Sequence, residues 1–169
     1  EMGDTDLRGD AYLGRLTTLH TLFPMPGSVV PAKTALGKEK PRLLAQLKAA
    51  GKEGIVFKNL AAPWSAGRPA SGGCALKCKF WASCSCIVME VNAKRSIALC
   101  LSDVHIGNVT IPPNHAIPQV GQVVEIKYLY VRGMAGSLYQ PIYLGVRDDV
   151  PVEDCTVERQ KLKYRANED

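Results

Sequence analysis

Two lysines separated by one residue are the first place in this sequence where chemistry could be held. In Leu76-Lys77-Cys78-Lys79-Phe80 charged and apolar side chains alternate. That is the period of an extended strand, so Lys77 and Lys79 share one face and Leu76, Cys78 and Phe80 take the other. Two ammonium groups fixed side by side repel each other, and a phosphate between them relieves the cost. The structural alternative is a solvated edge whose lysines discourage association. A carboxylate stands upstream. Glu53 follows a helix-stop glycine, Gly51, and precedes the apolar run Gly54-Ile55-Val56-Phe57. At a strand end beside a cleft, a carboxylate suits Mg²⁺, directly or through water. The plainer alternative is an acidic turn residue.

The elements that must position these residues follow from hydrophobic periodicity. Leu13, Leu16, Leu19 and Leu22 recur every third residue within 1–23, predicting a short amphipathic helix that ends at Pro24 and Pro26-Gly27. Val29-Val30 suggests a short strand. Residues 38–50 read as a second helix with Pro41 in its first turn, a Leu43, Leu44, Leu47 and Ala50 stripe, and Gly51 as its stop. Strands follow at 53–58 and 74–81, joined by a loop at 61–73 that carries Trp64 and Arg68. After Trp81 the pattern becomes strand-rich, with strands expected near 84–91, 95–102, 122–132 and 139–147 and a loop over 103–121. Val124, Ile126, Tyr128 and Tyr130 alternate with Glu125 and Lys127, which marks a half-buried antiparallel strand. The late run Tyr139–Arg147 places Ile142, Leu144 and Val146 on a core face and Tyr139, Tyr143 and Arg147 on the opposite one. Several short strands of this kind fit a small OB-fold barrel. Residues 151–169 read as a loose polar tail or a short helix.

The six cysteines lie at 74, 78, 84, 86, 100 and 155. The first four are spaced C-x3-C-x5-C-x-C, unlike the paired C-x2-C of zinc ribbons. Cys78 would share a core face with Leu76 and Phe80, and Cys84 and Cys86 one with Val88, so buried free thiols in a reducing compartment are expected. His20, His105 and His115 follow no ligand spacing. The 21 basic and 16 acidic residues give a net charge of +5, compatible with a polyanionic partner without requiring one. No apolar run is long enough to span a membrane, and no secretory segment opens the chain. A cytoplasmic or nucleoid-associated monomer is the expectation. Because the sequence opens on Glu1, its natural start is expected upstream.

The order of these features resembles the covalent nucleotidyltransferases, which include ATP-dependent DNA ligases, RNA ligases and mRNA capping enzymes. Glu53-Gly54-Ile55-Val56-Phe57-Lys58 resembles motif IV of that superfamily, and Leu76-Lys77-Cys78-Lys79 resembles motif V. The loop Ala62-Pro63-Trp64-Ser65-Ala66-Gly67-Arg68 is similar to the ligases' loop between those strands. Asp6-Leu7-Arg8, with Tyr12 and Arg15, is similar to the stretch after their adenine-stacking motif. The resemblance implies an α+β fragment of a nucleotidyltransferase domain over 1–81, an all-β OB-fold barrel over 82–150 and a polar C-terminal tail over 151–169. It implies ATP and Mg²⁺ as cofactors and nicked duplex DNA as partner. Glu53 would hold the metal, and Lys58, Lys77 and Lys79 would contact the nucleotide. Arg147 would correspond to the motif VI arginine that orients the leaving pyrophosphate, although Asp148-Asp149-Val150 follows it where the family often has Arg-x-Asp-Lys. Arg68, Tyr139 and Tyr143 would face nucleic acid.

The family's nucleophile is a lysine in Lys-x-Asp-Gly, and no lysine of this sequence is followed by x-Asp-Gly. The resemblance therefore covers only the later part of the ligase pattern, and a missing N-terminal part of the ligase is implied as partner. Alternative readings are an RNA ligase or capping-type fragment, or a non-enzymatic OB-fold module that stacks single-stranded bases on aromatics.

Overall fold

The computed structural model describes residues 5–24, 27–67, 73–133 and 136–165. The chain divides into two compact units, one of Glu1–Leu47 and Gly54–Cys78, the other of Lys48–Glu53 and Lys79–Asp169.

The front unit is built from local elements. Helix α1 spans Tyr12–Leu22, a 3-10 turn covers Gly37–Glu39, and α2 runs Lys40–Ala49 into the second unit. Strands β1 (Gly54–Lys58) and β2 (Ala75–Lys79) form a two-stranded sheet. Helix α2 ends where Gly51 takes φ +63 and donates its N–H to the Lys48 carbonyl at 3.0 Å. That left-handed turn is open to glycine at no steric cost. Two expectations are corrected here. Val29-Val30 is no strand, and both residues are exposed. Leu76 and Cys78 are exposed rather than core, since that face of the two-stranded sheet is left uncovered. Phe80, on the second unit, is buried.

The second unit carries the core. Its sheet has the order β5-β4-β3-β6-β9, formed by β3 (Ala82–Asn92), β4 (Ser96–Leu101), β5 (Val104–Thr110), β6 (Val123–Tyr128) and β9 (Ile142–Val146). All four pairings are antiparallel. Strands β7 (Tyr130–Arg132) and β8 (Ser137–Tyr139) make a separate hairpin. The central β3 presents Cys84, Cys86 and Val88 inward, and β6 adds Val124, Ile126 and Tyr128; all six are buried. Ile97, Leu99 and Leu101 of β4 complete the floor. Each fully buried aliphatic side chain stabilises the fold by about 1.5–3 kcal/mol relative to exposure. The result is a small α+β fold with a mostly antiparallel sheet, consistent with an OB-fold region.

Two strand expectations change. Residues 104–110, expected in a loop, form β5. Gly107 at φ +114 and a register shift between Leu99 and Cys100 turn both Ile106 and Val109 inward, breaking the two-residue period. The expected strand 139–147 is interrupted at Gln140, whose φ is +51. Across that break the faces invert. Tyr143 is buried, whereas Ile142, Leu144 and Val146 are exposed. The C-terminal segment, expected as a loose polar tail or a short helix, holds a 3-10 turn (Val152–Asp154) and a short helix α3 (Val157–Gln160), and it is docked on the sheet unit. Cys155 is fully buried, Ser102 N–H donates to its carbonyl at 2.8 Å, and Val131 N–H donates to the Lys163 carbonyl at 2.8 Å. Among the described residues no helix is long and apolar enough to cross a membrane.

Candidate functional site

Within the second unit the fold brings Glu53 and Lys79 together. Phe80 N–H donates to the Glu53 carbonyl at 2.8 Å, which fixes the backbone of both stretches. The Lys79 ammonium then lies 3.7 Å from Glu53 Oε1 and donates to Gln140 Oε1 at 2.7 Å. Gln140 is the residue whose left-handed backbone separates β8 from β9, so the sheet delivers it to Lys79 by a turn. Lys163 donates to the Phe80 carbonyl at 2.6 Å, and its pKa is lowered by burial, with Glu53 acting in the opposite sense. Trp81 has two ammonium groups near its ring, Lys79 at 5.5 Å and Lys127 at 5.1 Å from the centroid. Sequence reasoning missed Gln140, Lys163, Lys127 and Trp81. Only Lys127 carried a signal, as an outward position in an alternating strand.

The front unit holds the other expected cations. Lys77 is exposed on β2, two residues from Lys79. Lys58 ends β1 with its ammonium 4.4 Å from the centre of the Tyr12 ring. The Asp6–Arg8 stretch meets the loop after β1, as Trp64 N–H donates to the Arg8 carbonyl at 2.9 Å and Tyr12 N–H to the Ala62 carbonyl at 2.9 Å. Arg15 donates to the carbonyls of Arg8 and Asp10. Arg8 holds the Asp6 carboxyl down at about 2 through side-chain and backbone hydrogen bonds. Two sequence stretches that resembled ligase segments are thus neighbours. Arg68 lies outside the described residues.

Arg147 is engaged by acids. It donates to Glu125 Oε2 at 3.0 Å and to both Asp149 oxygens at 2.7 and 2.8 Å. Hydrogen bonding to Asp149 raises its pKa, and the same contact lowers that of Asp149. Glu125 also accepts from the Ser85 hydroxyl at 2.7 Å, and Ser85 N–H donates to Gln160 Oε1 of α3 at 2.8 Å. The C-terminal segment therefore ties back to the Arg147 cluster.

The tyrosines separate. Tyr139 stacks on Tyr130 at 4.7 Å, Arg132 lies 3.8 Å above the Tyr139 ring, and Arg165 is 5.7 Å from that of Tyr130. This is a cation–aromatic stack with Arg132 exposed and Tyr139 half-buried. Tyr143 instead packs edge-on against His115, and burial raises its pKa. At 4% exposure it sits on the core side, which corrects the outward face the sequence assigned it.

Among the described residues no group of three or more His, Cys, Asp or Glu, around Glu53 or elsewhere, could hold a metal ion. One exposed carboxylate suits a Mg²⁺ whose remaining ligands are water and nucleotide phosphates. Of the cysteines, Cys84, Cys86, Cys100 and Cys155 are buried free thiols, Cys74 is half-buried and Cys78 exposed. The hydrogen bond with Cys84 and burial raise the Cys86 pKa, which favours the neutral thiol.

A Lig E DNA ligase, from a study of DNA binding with a minimal scaffold, is similar in fold, with a TM-score of 0.67 at 21% identity, over 85% of this chain and 61% of that one. The chain shares the fold of the part of that ligase it matches. It spans about three fifths of the length of that ligase. The ligase domain of M. tuberculosis LigD is also similar, at 19% identity over 90% of this chain and 61% of that one, with a TM-score of 0.42. So is the Chlorella virus DNA ligase-adenylate, at 17% identity over 87% and 64%, with a TM-score of 0.39. Both are too loose to argue from. No family model and no curated relative matches the sequence.

Proposed function

We propose that this chain is the later part of an ATP-dependent DNA ligase that seals nicks in duplex DNA through an adenylated intermediate. Residues 1–81 serve as the tail of the adenylation domain, 82–150 as the OB-fold that binds DNA, and 151–169 as its C-terminal extension. The observation carrying this reading is the Glu53–Lys79 contact at 3.7 Å. A metal-type carboxylate and a phosphate-type lysine, 26 positions apart in the sequence, are held together beside the sheet, in the order the ligase resemblance implies.

In this reading Lys79 and Lys77 meet the α-phosphate, where nucleotidyl transfer accumulates negative charge that fixed cations stabilise. Glu53 holds Mg²⁺ together with the nucleotide phosphates, the ion supplying further charge neutralisation. Lys58 assists from the end of β1. Arg147 reaches the pyrophosphate only after exchanging Asp149 and Glu125 for it. Arg132 and Tyr139 face the DNA backbone. The exposed apolar residues of the front unit, Leu13, Leu19, Val56 and Phe57 among them, are where the missing N-terminal part packs.

The test is a denaturing gel after incubation with radiolabelled ATP and Mg²⁺. No labelled band is expected, since the sequence contains no Lys-x-Asp-Gly. A covalent label on this chain would overturn the assignment to the later part. A second reading, a non-enzymatic OB-fold module for single strands, is favoured by the Arg132–Tyr139–Tyr130 stack, and it predicts tighter binding to single strands than to nicked duplex.

A further inference from the structure

We infer that Trp81 and Lys127 extend the Lys79 site into a phosphate-binding platform, with Lys127 of β6 supplying a cation from the sheet itself. The ligand is a phosphate-bearing nucleotide or the phosphodiester backbone. The inference rests on the phosphate-handling role proposed above for Lys79.

Residues 124, 126 and 128 of β6 point into the core, so Lys127 faces outward. Its register partners are Ser83 on β3 and Ile142 on β9, neither charged. No carboxylate lies within ion-pair distance of Lys127 among the described residues, whereas Lys79 has Glu53. Both ammonium groups lean on one indole, at 5.1 and 5.5 Å from the Trp81 centroid. The indole, half-buried at the start of β3, is a rigid surface that holds two flexible cations in one place.

The charge balance points to an anion. Lys79 pairs with Glu53 and Lys163 feels the same carboxylate, whereas Lys127 beside Trp81 has no ion-pair partner among the described residues, so the cations near Trp81 are not fully balanced. Cation–aromatic attraction at a partly solvated site is weaker than a charge-assisted hydrogen bond to phosphate. A phosphate therefore outbids the ring for both ammonium groups, while the ring limits their freedom before binding. Gln140, already bonded to Lys79 at 2.7 Å, orients that amine toward the same space.

Trp81 reports on its own site. The chain has two tryptophans, so a Trp64→Phe background leaves Trp81 as the sole indole. Its emission is titrated with inorganic pyrophosphate and, separately, with a short intact DNA duplex. The expected result is a saturable change with at least one probe. Lys127→Ala should weaken that binding by about tenfold, and Lys127→Arg should retain it. Saturation by pyrophosphate identifies the free nucleotide as the source, and saturation by duplex identifies the backbone. Silence of Trp81 with both probes, or Lys127→Ala binding like its parent while circular dichroism shows both folded, overturns the inference. Neither probe contains a nick, so a failure of the ligase reading on nicked DNA leaves this result standing.

Discussion

The two units are made of the same kinds of residue and hold them differently. In the sheet unit, seventeen side chains from Cys84 to Cys155 form one buried cluster. In the front unit, neither α1 nor α2 has a buried residue, and Leu13, Leu22, Phe57 and Trp64 are each more than 40% exposed. A five-stranded sheet supplies two faces and bulges that bend it over a core, whereas a helix pair and a two-stranded sheet do not enclose one. An isolated pair of strands is marginal in water. The lesson is that local elements can be well specified where the surface to bury them is supplied by something else. On the functional reading, that is the rest of a catalytic domain.

The largest test of this difference is a paired core substitution. Leu99→Ala, at a fully buried site, should cost about 2–5 kcal/mol in denaturant unfolding followed by circular dichroism. Leu19→Ala, at 37% exposure in α1, should cost about 0.5 kcal/mol or less. Equal losses would erase the contrast.

A second test uses pH. Burial pushes the Tyr128 hydroxyl up to about 12. Its folded value lies above its unfolded one, so its contribution is complete below about pH 10 and lost as pH rises through about 12. The loss is about 2–3 kcal/mol. Tyr128→Phe should remove that alkaline step from the stability curve, at a fixed cost at neutral pH for the bond that Lys163 N–H donates to the hydroxyl at 3.0 Å. An unchanged step would place its origin elsewhere.

A third and smaller test concerns the docked C-terminal segment. Gln160→Ala strands the Ser85 N–H that donates to it and should cost about 1–3 kcal/mol. The loss should appear in the sheet unit, read by hydrogen exchange of β3 amides, and not in α1. A variant as stable as its parent would show that the segment is only draped over the sheet.

Much of this contrast could be read in the sequence. The leucine spacing gave both helices, and the Gly51 stop and the Val124–Tyr128 alternation were legible because each depends on a local pattern, whereas the expected strand 122–132 breaks at the buried Leu129 and Tyr130 opens a separate strand. The Lys77/Lys79 alternation likewise anticipated β2. What was not legible depends on backbone breaks. Gly107 hid β5, and Gln140 inverted the face of Tyr143, because a single left-handed residue resets the strand period without any apolar marker. Cys78 and Leu76 misled for another reason: alternation identifies a face, not whether anything covers it. Of the candidate site, Glu53 and Lys79 were singled out by residue type and order, and the fold brings them within 3.7 Å. Gln140, Lys163 and Lys127 come from distant segments and only topology brings them close. The role expected of Arg147 did not announce that two carboxylates already hold it.

The most direct measurement of the functional claim is equilibrium binding of this chain to three labelled DNAs of equal length, nicked duplex, intact duplex and single strand, across a salt series. The ligase reading predicts the tightest binding to nicked duplex, weakening steeply with salt as phosphate contacts are screened, and further loss on Arg132→Ala. Tighter binding to the single strand, or binding that ignores salt, would contradict it.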